Sequence, residues 1–594
     1  MGPLLPVQIL QARPVVMTAT ADGAKLFVAL EAPPSLKVID GGSGKVAATF
    51  TLPAAPTGMA LTKDGGRLFV TAGLAPGRLL VIDANSGGVL NDWVVGHSPT
   101  APVVSADGGR VFVCNRFQNE VLVVDAAAGK VAGRIPVVRE PVAAVLSPDG
   151  AALVVANLLP AGRADTGDIS ASVSVIDVAS GESRVTRLPN GSTGVAGIAV
   201  SPDGAFYYLT HTLARYGLPT TQVDRGWMNT SALSVIDGKD FRHRASVLLD
   251  NIDHGAANPW GVTCSADGSR LFVAHAGTHE LSVIDRPAMH ERIAKAERGE
   301  KVTEVSDSAA DIGNDLAFLV GIRERRKLPG QGPRAVVALP THKCAVAGYY
   351  SGTLHVVDAD APRGQVTSME LAPVPKDDPV FRGEVVFHDA TTCFQHWQSC
   401  ASCHPGVRAD GLNWDLLNDG IGNPKQVKSM LFSVQTPPSM ISGVRGDAAT
   451  AIRAGFRHIL FAQRPEEEHK AIEAFFLAMK PVPSPALIDG KLSPAAERGK
   501  VVFQDTGCLA CHNGEYFTDL KPYDVGTGIG REKDLLLDTP TLLECWRTAP
   551  YLHDGRAPTL ESLFTEHNAG DRHGVTKGLP KEKLADLIEY LRSL

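Results

Sequence analysis

From about Arg13 to Ala372 the chain alternates short apolar runs with Asp-Gly punctuation at a steady period. The copies read ADGAKLFV at 21–28, KDGGRLFV at 63–70, ADGGRVFV at 106–113, SPDGAALVV at 147–155, SPDGAFYYL at 201–209 and ADGSRLFV at 266–273. A second signature follows each: LKVID at 36–40, LLVID at 79–83, VLVVD at 121–125, VSVID at 173–177, LSVID at 233–237 and 281–285, and LHVVD at 354–358 after the degenerate HKCAVAGYY at 342–350. That makes seven units. Period-two runs joined by turns that need positive φ predict a four-stranded antiparallel sheet per unit. Such a sheet cannot bury both faces alone, so consecutive sheets stack radially and close, which predicts a seven-bladed β-propeller over residues 1–372.

The departures from the period are informative. Leu158–Ala171 and Leu213–Ala232 lengthen the same loop, between the second and third strands of the fourth and fifth units, so they are expected side by side on one face. The second carries Tyr216, Arg225, Trp227 and Met228, a composition suited to an interface or a pocket lid. A third, Arg286 to about Ala317, is charged and helix-like, leaves from a different loop and is expected to be a solvated decoration on the opposite face. His211 and His275 end equivalent second strands, where satisfying loop backbone is the expectation ahead of metal binding. The repeats resemble the YVTN propellers, whose naming strand here reads LFVAL, LFVTA, VFVCN and LFVAH. Propellers host many unrelated functions, so the resemblance carries no chemistry.

After Pro373 the period disappears. Pro373, Pro375 and Pro379, with Lys376 to Asp378 between, make a stiff polar linker. Pro465-Glu466-Glu467-Glu468 opens a helix, with proline expected at its first position. Ile472, Phe475, Phe476 and Met479 then form one apolar stripe at i, i+3, i+4, i+7. Pro481 to Pro485 interrupts, Ser493-Pro494 caps the next helix, and Leu584, Leu587, Ile588 and Leu591 face inward from the last. Two mainly α-helical lobes are predicted, 373–480 and 481–594.

Each lobe contains one C-x-x-C-H run: Cys400-Ala401-Ser402-Cys403-His404 and Cys508-Leu509-Ala510-Cys511-His512. In this pattern two thiols bond the vinyl groups of one haem and the adjacent histidine becomes its proximal ligand. The rival is a single zinc on four thiolates, but zinc pairs usually lie a few tens of residues apart and need no histidine after each. Two covalently bound haem c groups are therefore expected, each lobe being cytochrome c-like.

Composition narrows the rest. With 44% hydrophobic and 20% charged residues, a mean hydropathy of +0.01 and no apolar run long enough to span a bilayer, the chain reads as globular and not membrane-spanning. A net charge of -7 offers no basic footprint for nucleic acid. Cys114, Cys264, Cys344, Cys393 and Cys545 remain outside the motifs, an odd number, and are read as small buried apolar residues. Covalent haem attachment takes place outside the cytoplasmic membrane, so a periplasmic or otherwise exported protein is expected; Met1 to Gln11 lacks a signal peptide's n- and h-regions, so the native signal is expected to have been removed.

TAPYLHDGRAPTLESLF at 548–564, with DTPTLLE at 538–544, FTDLKPYDVGTG at 517–528 and the terminal LPKEKLADLIEYLRSL, resembles the bacterial di-haem cytochrome c peroxidases and the di-haem oxidase MauG. The resemblance implies a sixth ligand for the second haem at the end of a short helix opening Thr-Leu-Glu. Counted from Thr559 that is His567, where the family has methionine or tyrosine; His573 competes, and His553 is expected to anchor the loop or a propionate. It implies a calcium ion held by the carbonyls of Thr548 and Pro550 and by a first-lobe asparagine, here Gln435, which makes calcium admissible and no more. It also implies peroxide chemistry at the first haem, with Gln463, Glu467 and Glu468 as catalytic candidates. No histidine stands between Asp410 and Arg457, leaving His396, His458 and His469 as other ligands and Trp397 and Trp414 as relays or packed aromatics. The implied function is a peroxidase-type oxidoreductase. It would use hydrogen peroxide, or a small or protein substrate, with a small electron-transfer protein as donor or acceptor. The alternative is a non-catalytic electron-transfer and binding module with two six-coordinate haems. In either case Leu213–Ala232 is expected to pack on the haem lobes, with Trp227 walling the approach to the first haem.

Overall fold

The computed structural model describes residues 13–218, 227–417, 420 and 422–594; Met1 to Gln11 and Arg225 lie outside the described residues. Seven four-stranded antiparallel sheets occupy residues 14–51, 56–94, 99–136, 141–187, 192–248, 259–327 and 333–370, each in simple sequence order. The first strand of each lies beside the first strand of the next, and the seventh returns to the first. The ring is closed, as the repeat predicts.

The turns show why the Asp-Gly motif recurs. In the second blade the Thr62 hydroxyl and the Gly66 amide both donate to Asp64 Oδ1, while Gly65 takes φ +70. A side chain there would be strained. Equivalent phenylalanines, Phe27, Phe69, Phe112 and Phe272, are buried between neighbouring blades, so in four of the seven repeats the same residue type fills the same wedge. His211 and His275 bond within their own blades: each gives one ring nitrogen to a backbone carbonyl, of Thr212 and Ala256, and the other to a serine hydroxyl, Ser234 and Ser282.

Two insertions differ from expectation. In the fifth blade three strands are nine residues long, 192–200, 206–214 and 229–237, so the edges of the predicted loop continue the sheet. The third insertion is not a solvated decoration. Its helix α1 (Arg286–Glu297) buries Met289, Ile293 and Ala296, joined by Ile312, Phe318 and Leu319, against Leu233, Val235 and Val247 of the fifth blade.

The first lobe contains α2 (Pro379–His388), α3 (Cys400–Cys403), α4 (Ala448–His458) and α5 (Glu466–Ala478); the second contains α6 (Pro494–Asp505), α7 (Leu560–Glu566) and α8 (Lys581–Arg592). Pro465 is the N-cap of α5, one position earlier than expected, and Glu466 is its first residue. Ile472, Phe475 and Phe476 of α5 pack on Phe387 of α2. In the second lobe Leu587, Ile588 and Leu591 pack on Val502 and Phe503 of α6.

The three parts meet through buried charge. Glu140, from the turn entering the fourth blade, pairs with Arg116 at 2.8 Å and with Arg547 of the second lobe at 3.3 Å. Arg547 reaches Glu544 at 3.5 Å, and Glu544 takes Arg408 of the first lobe at 2.6 Å. Burial alone would raise the Glu140 carboxyl, but Arg547, Arg116 and Arg139 hold it down to about 2. A second tie, Arg13 to Glu384 at 2.5 Å, fixes the start of the propeller to α2.

Burial also pushes His211 and His355 down from 6.5 to about 4, so both are neutral in the folded protein at pH 7. In the unfolded chain they regain 6.5, so between pH 6.5 and about 4 the unfolded state binds more protons and stability falls with pH. Each ring contributes about 1.4 kcal/mol per pH unit in that window. A denaturant midpoint measured against pH should be level above 7 and decline below 6.5, with a shallower decline in His355→Gln; a midpoint that rises on acidification would contradict the assignment.

Candidate functional site

Both C-x-x-C-H runs open into one cavity of about 620 Å³, lined by Cys400, Cys403 and His404 from the first lobe and Cys508, Cys511 and His512 from the second. The first run forms α3, whose N-terminus carries a reciprocal capping box between Ser399 and Ser402. The second follows α6 through Gly507, whose φ of +80 turns the chain into the motif. His404 Nδ1 donates to the Arg408 carbonyl at 3.0 Å and His512 Nδ1 to the Phe517 carbonyl at 3.0 Å. A carbonyl can only accept, so each ring presents its unprotonated Nε2, the state a metal needs. Burial favours that neutral form, pushing His404 down to about 4 and lowering His512 as well. Two thiols beside a histidine of fixed tautomer, facing an apolar cavity, fit a haem at each run.

The histidines opposite differ between the lobes. The His573 ring centre lies 6.3 Å from that of His512, at 36°. Metal–imidazole bonds of about 2 Å on either side of one ion bring two rings to about this separation. His573 lines the cavity, held by its own amide to Asn568 Oδ1 and by Asn568 Nδ2 to its carbonyl. His567 caps the C-terminus of α7 and is not among the lining residues. His553 lines the cavity but pairs through Nε2 with Glu532 at 3.0 Å.

In the first lobe His404 is the one cavity histidine among the described residues. His396 packs at 4.2 Å on His254 of the propeller, His469 pairs with Glu466, and His458 is exposed. The expected carboxylate cluster does not reach the cavity either. Gln463 and Glu467 are exposed, and Glu468 is held by Arg464 at 2.7 Å. The glutamates serve the positive end of the α5 dipole and its ion pairs instead. The lining acids are Asp415 and Asp538, the latter tied to Lys428 at 2.8 Å. Met430 and Met440 also line it.

Trp397 is buried away from the cavity, whereas Trp414 lines it and donates from Nε1 to Asp410 Oδ2 at 2.8 Å. Burial pushes Asp410 up to about 7, a partner that no local sequence signal marks. Thr548 and Pro550 line the cavity, and Gln435 Oε1 is buried without a hydrogen-bond partner, an acceptor that a cation would satisfy. Arg445, Lys428 and Arg572, all lining, provide positive charge suited to carboxylates such as haem propionates.

The propeller closes on this site through its fourth- and fifth-blade insertions. Ala164, Ile169 and Met228 bury against Leu412 and Trp414, with Cys403 at the edge. Trp227 is only partly buried and lies under the Arg215 guanidinium at 5.3 Å, so Met228 takes the contact expected of it.

Fold and site together define a propeller joined to a di-haem c-type redox module of the cytochrome c peroxidase type. The chain belongs to the family of hydrazine synthase subunit gamma of Kuenenia stuttgartiensis, to which it is 30% identical over 276 residues, 37% of this chain and 78% of that subunit. It is 27% identical over 192 residues to hydrazine synthase subunit beta of the same organism, covering 32% of this chain and 48% of that subunit. It is 24% identical over 297 residues to the methylamine utilization protein MauG of Methylophilus methylotrophus, covering 39% and 88%. A solved structure of Kuenenia stuttgartiensis hydrazine synthase superimposes with a TM-score of 0.53 at 23% identity, over 61% of this chain and 100% of that one, a likeness of fold. No family model matches the chain.

Met228 is 2% exposed at this junction. Met228→Ala should cost about 2–3 kcal/mol by leaving a cavity beside Cys403 and hasten proteolysis between the propeller and the first lobe. Trp227→Ala should leave both nearly unchanged, and equal effects would refute this division of roles.

Proposed function

We propose that the chain is a periplasmic di-haem oxidoreductase. In this reading Cys400 and Cys403 attach the first haem and His404 ligates it, Cys508, Cys511 and His512 hold the second, and a small electron-transfer protein exchanges electrons with the second. The observation that carries the reading is the asymmetry of the cavity histidines: His573 faces His512, and among the described residues no second histidine of the first lobe lines the cavity with His404. A haem held there by His404 would supply one-electron redox chemistry toward a small molecule such as hydrogen peroxide. His404, oriented through the Arg408 carbonyl, fixes the proximal side. Asp415, a lining acid of the first lobe, would be a group able to hold or move a proton there. His573, rather than the expected His567, would hold the second haem together with His512, and two histidines would lower its potential relative to a methionine ligand. Gln435, Thr548 and Pro550 would hold a calcium ion.

A second reading has its own support, since Met430 and Met440 line the cavity and ligation of the first iron by either would leave an electron-transfer module.

Intact mass should exceed the polypeptide by two haems; the mass of one or none sinks the assignment. An EPR and optical titration with peroxide should change the first haem within seconds and leave the second six-coordinate. Hydrazine serves as the rival ligand, and no response to either favours the second reading. His573→Ala should convert the second haem to a five-coordinate or water-ligated spectrum and raise its potential, whereas His567→Ala should not. The reverse result restores His567.

A further inference from the structure

The haem-attachment helix α3 is four residues long, too short to be stable by its own hydrogen bonds. What holds it comes from outside its lobe. Asn258, on the connection into the sixth blade at φ +54, donates from Nδ2 to the Ser399 hydroxyl at 2.7 Å and accepts from the Ser402 hydroxyl on Oδ1 at 2.7 Å. Ser399 and Ser402 are the two members of the α3 capping box, so one propeller amide grips both ends of the device that starts the helix. The Asn258 backbone is itself fixed, its carbonyl accepting from Ala276 at 2.9 Å.

A second amide reaches the other end of the motif. Asn229 begins the third strand of the fifth blade and is 2% exposed. Its Nδ2 donates to Gln398 Oε1 at 2.7 Å and to Cys403 Sγ at 3.3 Å. That sulfur is a free thiol here and stands for the thioether sulfur once haem is attached. Gly255 adds a close approach: its amide donates to the Gln395 carbonyl at 2.8 Å, and a Cβ there would lie 2.6 Å from the Trp397 Cα. The second lobe is built differently. Cys508 Sγ has Thr506 of its own lobe at 3.4 Å, and among the described residues no hydrogen bond joins residues 508–512 to the propeller.

We propose that Asn229 and Asn258 are positioning residues of the first haem site, which makes the propeller a structural component of that site and not only a platform for a partner. Asn258 sets where the helix begins. Asn229 places a hydrogen-bond donor on the sulfur of Cys403, where removal of the donor changes the electronic surroundings of the first haem alone. The proposal rests on the haem-attachment reading above in its second half and is independent of it in its first.

The test uses the full chain and two readouts. Hydrogen exchange of the amides of residues 399–404 should quicken roughly tenfold in Asn258→Ala, as expected for two lost hydrogen bonds. Asn258→Asp, whose carboxylate can accept from both serine hydroxyls, should restore protection. In the haem-loaded protein, Asn229→Leu should shift the midpoint potential and EPR signal of the first haem while the second haem keeps its own. If Asn229→Leu does not fold, Asn229→Ser, which is too short to reach the sulfur, gives the same reading. Unaltered exchange in Asn258→Ala together with an unaltered first potential in the Asn229 variant would overturn the proposal. A protein that carries no haem would refute the attachment reading, while the exchange measurement would still decide whether the propeller grips the helix.

Discussion

The assembly depends on two glutamates buried among four arginines where three parts of the chain meet. Glu140 belongs to the propeller, Glu544 to the second lobe, and Arg408, which Glu544 holds at 2.6 Å, to the first. The same Arg408 offers its carbonyl to His404, so the orientation of a proximal ligand is linked to a carboxylate on the far side of a domain boundary. Charges this deeply buried are a poor source of net stability, because desolvation offsets most of their attraction. They are instead intolerant of a wrong partner, since a slip of one part against another would leave an arginine or a glutamate buried alone. Phe117 under the Arg547 guanidinium at 4.4 Å adds an apolar wall that admits only one placement.

How much of this could be read from the chain depends on the range of the interaction. The blades were legible because six of the seven repeats write their own turn chemistry, Asp and Gly at a fixed offset, and four of them a buried phenylalanine. The two C-x-x-C-H runs stood out because each falls within five consecutive residues, and the structure brings both to one cavity. The helix α1 was misread as solvated although Met289, Ile293 and Ala296 follow at helical spacing; the surrounding charges masked a stripe whose partners lie on the neighbouring blade. The distal residues were harder still. Counting along α7 leads to His567, but which ring enters the cavity is set by the loop after the helix, where Asn568 closes a turn on the backbone of His573. The glutamates that open α5 carry a pattern that capping physics already explains, and their side chains turn outward to Arg453 and Arg464.

Contacts between distant polar residues leave no periodic trace. Asn229, Asn258 and Asp410 each act through a single side chain on a segment more than a hundred residues away or on a buried neighbour, and nothing in their local sequence distinguishes them from loop residues. Only the folded arrangement shows that their amides and carboxyl face the first haem-attachment motif.

This arrangement makes the two lobes unequal in a way that bears on reactivity. The second lobe supplies both histidines that face one another across its part of the cavity, together with the threonine beside Cys508, from within residues 481–594. Its site is self-contained. The first lobe borrows: its attachment helix is capped from the propeller, its proximal carbonyl is braced by Glu544 of the second lobe, and Met228 from the fifth blade covers the flank of Cys403. A site built from three sources is complete only in the assembled protein. The surroundings of His404 therefore form only where the propeller and the second lobe are already in place.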